Sequence, residues 1–127
     1  NQLDDNTYDI VYSNATIEHV GSYNNQKLFI SECLRVAKKN IFITTPNRYF
    51  PLDFHTKIPF IHMLPKLIHR KILNLFGYSF FAKEENLNLL SKKDLIDHCE
   101  KLKIKNYKII PYKLYFFISN LILVIQK

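Results

Sequence analysis

An α/β fold is the class this sequence predicts: parallel strands joined through a helix, a helical insertion, and a C-terminal strand pair. Three observations carry that expectation. Ile10-Val11-Tyr12 and Ile41-Phe42-Ile43 are short apolar runs of strand length, each ending in polar residues. Between them Phe29, Ile30, Cys33, Leu34 and Ala37 recur at helical spacing. Finally, residues 106–115 and 121–126 are rich in Ile, Tyr, Phe and Val and lie close enough in sequence to pair as a hairpin.

The first run is read as a buried strand that breaks at Ser13-Asn14 into a polar turn carrying Glu18-His19. In open parallel sheets ligands lie beyond the carboxyl ends of the strands, so these polar groups fall at the functional edge. After a polar loop over 21–25, Asn24 or Asn25 is expected to cap a helix running to about Lys38, with Lys38-Lys39-Asn40 at its negative end. Glu32 and Arg35, three apart, are placed to pair on its polar side. Pro46 stops the second strand because it has no N–H to donate to a ladder. A strand, a helix and a strand imply a parallel crossover, which brings Asn14 and Asn47 to one edge of the sheet.

The segment 50–88 is less regular. Its clearest helix spans 65–76, with a proline in the first turn, an apolar stripe at Leu64, Leu67, Ile68, Ile72, Leu75 and Phe76, and Gly77 as terminator. Lys66, His69, Arg70 and Lys71 are expected on the opposite, outer face. Ser91 and Asp94 form a capping-box-like start to a last helix reaching about Lys103, with Leu90 and Leu95 spaced as a staple across it.

At 127 residues and 47% apolar composition the chain makes one domain at most. It begins with Asn1, which reads as a fragment or a trimmed chain. Cys33 and Cys99 have no second ligand at metal spacing and read as core residues of a reducing compartment. No signal peptide is evident, and the most apolar stretch, 114–125, is interrupted by Ser119-Asn120 and too short to span a bilayer. A cytoplasmic protein without a transmembrane segment is therefore expected. The net charge of +7 comes from scattered lysines and contains no basic run dense enough for nucleic acid.

The run Asp5-Asn6-x-Tyr8-Asp9-Ile10-Val11, ending in Glu18-His19-Val20, resembles the fourth strand of class I S-adenosylmethionine-dependent methyltransferases. Glu32-x-x-Arg35-Val36 with residues 41–47 resembles the next helix and fifth strand, and 119–127 the last, antiparallel strand. The resemblance spans the whole chain but only the second half of that Rossmann-like domain. The family's glycine-rich cofactor loop and ribose-gripping acid are not found, the only glycines being Gly21 and Gly77. It implies that the final strand inserts antiparallel between the second strand and the one before it, and that 50–88 is a substrate lid. A helix packed on the sheet purely for stability is the other reading of that insertion.

The resemblance further implies S-adenosylmethionine as cofactor, with Ser13, Asn14 and Ala15 beside it, and a small-molecule, quinol or lipid- or glycan-linked acceptor for O-methylation. Glu18, Asn47 and Arg48 are assigned to the acceptor side, and His55, Asp53 and His19 to catalysis. Asp53 can orient the His55 ring while His55 takes a hydroxyl proton. The alternative for His55 is a hydrogen-bonded surface histidine. Ubiquinone-pathway and small-RNA methyltransferases hold a divalent metal at Glu-x-x-Glu-His in this place. Here Ala15 replaces the first Glu, so no metal is expected, and the ligands available for one are Glu18, His19 and His55. A non-catalytic binding module of the same fold, holding an acidic partner on the Lys66–Lys71 face, is the competing function. The missing N-terminal half of the domain is the first partner the enzyme reading requires.

Overall fold

A computed structural model describes residues 3–127. Strand β1 (Tyr8–Asn14) leads through a short 3-10 turn into helix α1 (Tyr23–Val36), which feeds strand β2 (Ala37–Pro46) directly. An insertion carrying helix α2 (Lys66–Leu75) follows. Helix α3 (Lys92–Lys101) and the hairpin of β3 (Tyr107–Leu114) and β4 (Phe117–Gln126) complete the chain. The sheet order is β1-β2-β4-β3. β1 and β2 are parallel, with Val11 opposite Ile41, while β4 is antiparallel to both β2 and β3. The strand last in sequence is therefore interior, as the methyltransferase resemblance implies.

The core lies where α1 and α3 cover the sheet. Ile30, Cys33 and Ala37 pack with Ile41 and Ile43, with Leu90, Leu95 and Cys99, and with Leu121, Leu123 and Ile125. Alternation along β4 sets this arrangement, since every second residue from Ser119 to Ile125 is buried. Burial pushes the thiols of Cys33 and Cys99 up to about 11, so both are inert apolar filler.

Several local expectations are corrected. Ser22, not Asn24 or Asn25, caps α1, its side chain accepting from the Asn25 N–H. The helix stops at Val36, because Ala37 turns extended, and Lys38-Lys39-Asn40 belong to β2. The run Ile10-Val11-Tyr12 is not a buried strand: only Val11 packs on the core, while Ile10 and Tyr12 are exposed on an edge. α3 begins with the full capping box, the Ser91 hydroxyl accepting from the Asp94 N–H and the Asp94 carboxylate from the Ser91 N–H at 2.7 Å.

The largest correction concerns α2, which is turned over. Leu64, Leu67, Ile68, Leu75 and Phe76 face solvent, whereas His69 and Leu73 are buried and Lys66 and Arg70 are partly covered. Polar anchors hold this orientation. Lys66 Nζ donates to Asn88 Oδ1 at 2.6 Å, and Arg70 lies 3.5 Å from Glu84. Burial pulls the Lys66 ammonium below its usual range, and the nearby Arg48 and Arg70 charges act in the same direction.

His69 and His98 are buried with ring nitrogens that lack partners, and burial pulls both below the ordinary histidine range. Asp53 acts against that shift at His69, and Asp94 and Asp97 act against it at His98. The unfolded chain thus binds protons that the folded chain refuses, and stability must fall as pH drops below about 6.5. Urea unfolding across pH 7 to 5 should show this decline, and His98→Gln should flatten it. A parallel slope in that variant would contradict the assignment.

Candidate functional site

Glu18 sits in the 3-10 turn after β1, wholly buried. Its Oε2 accepts from the Thr45 hydroxyl at 2.9 Å, and its Oε1 has no partner. Its backbone carbonyl accepts from the Asn88 N–H at 2.7 Å, which fastens the end of the insertion over the turn. A buried carboxylate with one bare oxygen is costly unless something else satisfies it.

Next in the chain, His19 points its Nδ1 at the Asn86 carbonyl, 2.6 Å away. A carbonyl only accepts, so Nδ1 carries the proton and Nε2 is left with a free lone pair in the neutral ring. His55 is oriented in the same manner. Its Nδ1 lies 3.1 Å from Asp53 Oδ1, and the same carboxylate accepts from the His55 N–H at 3.0 Å and from the Thr56 hydroxyl at 2.6 Å. Burial pushes the Asp53 carboxyl up, but hydrogen bonds from His55 and Thr56 outweigh it and hold the group down at about 2. Asp53 is therefore a fixed anion at any physiological pH.

The two rings meet with His55 Nε2 and His19 Nε2 only 3.1 Å apart. Two lone pairs cannot face each other at that distance, so a proton or a cation belongs between them. Glu18 completes the cluster: one ligand atom from each of Glu18, His19 and His55 lies within 4.8 Å of the others. Phe81 covers one side of the His55 ring, with centroids 5.8 Å apart.

The remaining sequence candidates are placed as follows. Ser13, Asn14 and Ala15 lie at the carboxyl end of β1. Asn14 accepts from the Thr44 hydroxyl, Ala15 adopts a left-handed φ of 48°, and the Ser13 hydroxyl is buried without a partner. Asn47 leaves β2 at the same edge but turns toward β4, donating to the Ile118 carbonyl at 2.9 Å. Arg48 grips the insertion, donating to the carbonyls of His62 at 3.2 Å and Leu64 at 2.8 Å. The structure thus brings Glu18, His19, Asp53 and His55 together, and holds Asn47 and Arg48 by other contacts. Thr45, Thr56 and Asn86 were missed from sequence. Thr56, three residues after Asp53, carried a local signal. Asn86 carried none, since it reaches His19 from 67 residues away.

Comparison with known proteins sets the class of this fold. A family model described as a methyltransferase domain matches residues 1–43. A crystal structure of a SAM-dependent methyltransferase from Archaeoglobus fulgidus superposes with a TM-score of 0.59 at 15% identity, over 98% of this chain and 62% of that one. A SAM-dependent methyltransferase from Methanosarcina mazei gives 0.60 at 14% identity, over 98% and 61%. A possible exported protein from Bordetella parapertussis gives 0.61 at 10% identity, over 99% and 41%. No curated protein matches the sequence. The chain has the fold of the SAM-dependent methyltransferases, as its resemblance to the class I enzymes implied, and spans about three-fifths of the two methyltransferase structures. Among the described residues no helix is long and apolar enough to cross a membrane.

Proposed function

We propose that this chain is the acceptor-side half of a SAM-dependent O-methyltransferase domain, with residues 50–88 as its lid. The observation that carries the reading is the Asp53–His55–His19 relay at the carboxyl edge of a methyltransferase-type sheet. When bound, S-adenosylmethionine supplies a methyl group on a sulfonium. Ser13, Asn14 and Ala15 would line its edge of the pocket, and the buried, unpartnered Ser13 hydroxyl is a donor free for it. The chain's own work is on the acceptor. Asp53 holds the His55 Nδ1–H and the Asn86 carbonyl holds that of His19, so the facing Nε2 pair takes up, between its two lone pairs, the proton of an acceptor hydroxyl, and the lid keeps water from the reacting oxygen. A small-molecule, quinol or lipid-linked alcohol fits this chemistry.

A second reading rests on the unsatisfied Glu18 Oε1 beside two converging imidazoles. Two histidines and one carboxylate suit a divalent transition metal, and the Asn86 and Asp53 contacts are the outer-shell partners such ligands use. In that reading Glu18, His19 and His55 hold the ion that polarises the acceptor oxygen, and sensitivity of turnover to a chelator separates the two. The binding-module alternative loses support from the inward turn of Lys66, His69 and Arg70, which leaves Lys71 as the exposed cation of that set.

Titration with S-adenosylmethionine tests the assignment of halves. The adenine, ribose and glycine-loop contacts lie on strands this sequence does not contain, so the chain alone should show no measurable heat. Adding a complementing glycine-loop half should restore binding. Micromolar affinity in the chain alone would show that those contacts are dispensable and would overturn the proposal.

A further inference from the structure

Among the described residues nothing packs on the outward face of α2. Leu67 is 73% exposed, Leu75 83% and Phe76 65%, with Leu64, Ile68 and Phe60 beside them in the insertion. Leu64, Leu67, Ile68, Lys71 and Leu75 follow i, i+3, i+4, i+7 and i+11 spacing, so they form one stripe, apolar except for an exposed lysine. The polar anchors at Lys66 and Arg70 hold that stripe outward, so its exposure is built in and does not reflect a loose helix.

A second apolar patch stands at the same edge of the sheet. β2 leaves the sheet at Pro46, opposite Asn120 of β4, and Asn47 bonds to Ile118 and Ser119. The β3–β4 turn, Tyr115-Phe116, therefore projects from the edge where the insertion begins. Two-residue hairpin turns are best served by Asn-Gly or similar pairs. Here Tyr115 takes a left-handed φ of 55° and is 87% exposed, and Phe116 is 94% exposed. Aromatic rings in that position gain nothing from packing within the chain.

Charge selects among the surfaces that could cover these patches. Between Asp53, which is buried, and Glu84 the chain has no acidic residue, and after Glu100 it has none to the end. Exposed Lys57 and Lys71 accompany the α2 stripe, and exposed Lys113 accompanies the hairpin tip. Aliphatic and aromatic side chains accompanied by Lys57, Lys71 and Lys113, with the Glu84 carboxylate paired to Arg70 on the inward side of α2, match the boundary of an anionic bilayer, where rings and leucines enter the acyl region and ammonium groups meet lipid phosphates. A chain segment continuing the sheet beyond β1 would lie at the edge opposite β3, away from the hairpin tip.

We infer that the outer face of α2 and the Tyr115-Phe116 tip form an interfacial surface that seats the carboxyl edge of the sheet on an anionic lipid bilayer. The inference does not depend on methyl transfer, because its test needs neither cofactor nor acceptor. The probe is flotation of the purified chain with vesicles of phosphatidylcholine, with and without about a quarter phosphatidylglycerol. The chain should float with the anionic vesicles, and raised salt should weaken the association. Leu67→Ser/Leu75→Ser and Tyr115→Ser/Phe116→Ser should each lower the bound fraction about tenfold, while circular dichroism stays unchanged because these side chains support no core. Failure to float, or flotation indifferent to both double variants, would overturn the inference. So would a dimer in solution that Leu75→Ser dissolves and Ile10→Lys does not, since a second copy would then be the occupant.

Discussion

His55→Ala, in a chain carrying both halves of the domain, should lower turnover by about a hundredfold or more while leaving cofactor affinity nearly unchanged. The ring is assigned to the acceptor side: its Nδ1 is committed to Asp53 and its Nε2 faces His19 Nε2 at 3.1 Å, so the basic position is the one the two rings share. Asp53→Asn should reproduce much of the loss, because an amide can donate to Nδ1 and reverse the tautomer. The two readings of the Glu18–His19–His55 cluster then part company. If the relay works through protons alone, a chelator leaves turnover intact and Glu18→Gln is mild. If a metal is held, the chelator abolishes turnover, and Glu18→Gln matches His55→Ala. Turnover unchanged in the His55 variant would end both readings and return the residue to a structural role.

Self-association through β1 is the second large effect expected. β1 is an outer strand with Tyr8, Ile10 and Tyr12 exposed, and among the described residues no strand pairs with its outer side. The opposite edge is protected: β3 carries Pro111, which cannot donate to a new ladder, and Lys108 and Lys113. Of the two edges only β1 is an open template. The chain alone should therefore form dimers or larger species at micromolar concentration, and Ile10→Lys/Tyr12→Lys should weaken that association by about tenfold or more. Light scattering reads the mass directly. A wild-type chain that stays monomeric, or a double variant of unchanged mass, would count against it.

The parts of the fold visible in the sequence were those specified by local chemistry. Pro46 marked the end of β2, Ser91 and Asp94 marked the start of α3, and hydrophobic periodicity marked α1 and α2. The position of β4 came from family resemblance, since no residue in 117–126 states which strands flank it. The orientation of α2 was misread for a definite reason. A hydrophobic stripe identifies an amphipathic helix, and the usual inference is that the apolar side faces the core. Here Asn88 and Glu84, from a later part of the insertion, claim Lys66 and Arg70 and invert it. The site shows the same division. Asp53 and His55, two residues apart, were legible as a pair. Their meeting with His19, and the Asn86 carbonyl that sets the His19 tautomer, join distant parts of the chain and left no local trace.

The interior position of β4 has a consequence for biosynthesis. Its residues supply the strand that separates β2 from β3, so neither of those two can close the ladder it shares with β4 until β4 itself has left the ribosome. During synthesis α1, β1 and β2 can assemble, but β2 keeps one flank of backbone amides and carbonyls open for the time needed to make some eighty further residues, several seconds at about 5–20 residues per second. The nascent chain thus carries an open strand for longer than its size suggests. Completion of the sheet is a single late event in which the C-terminal hairpin docks as a unit, closing both ladders at once.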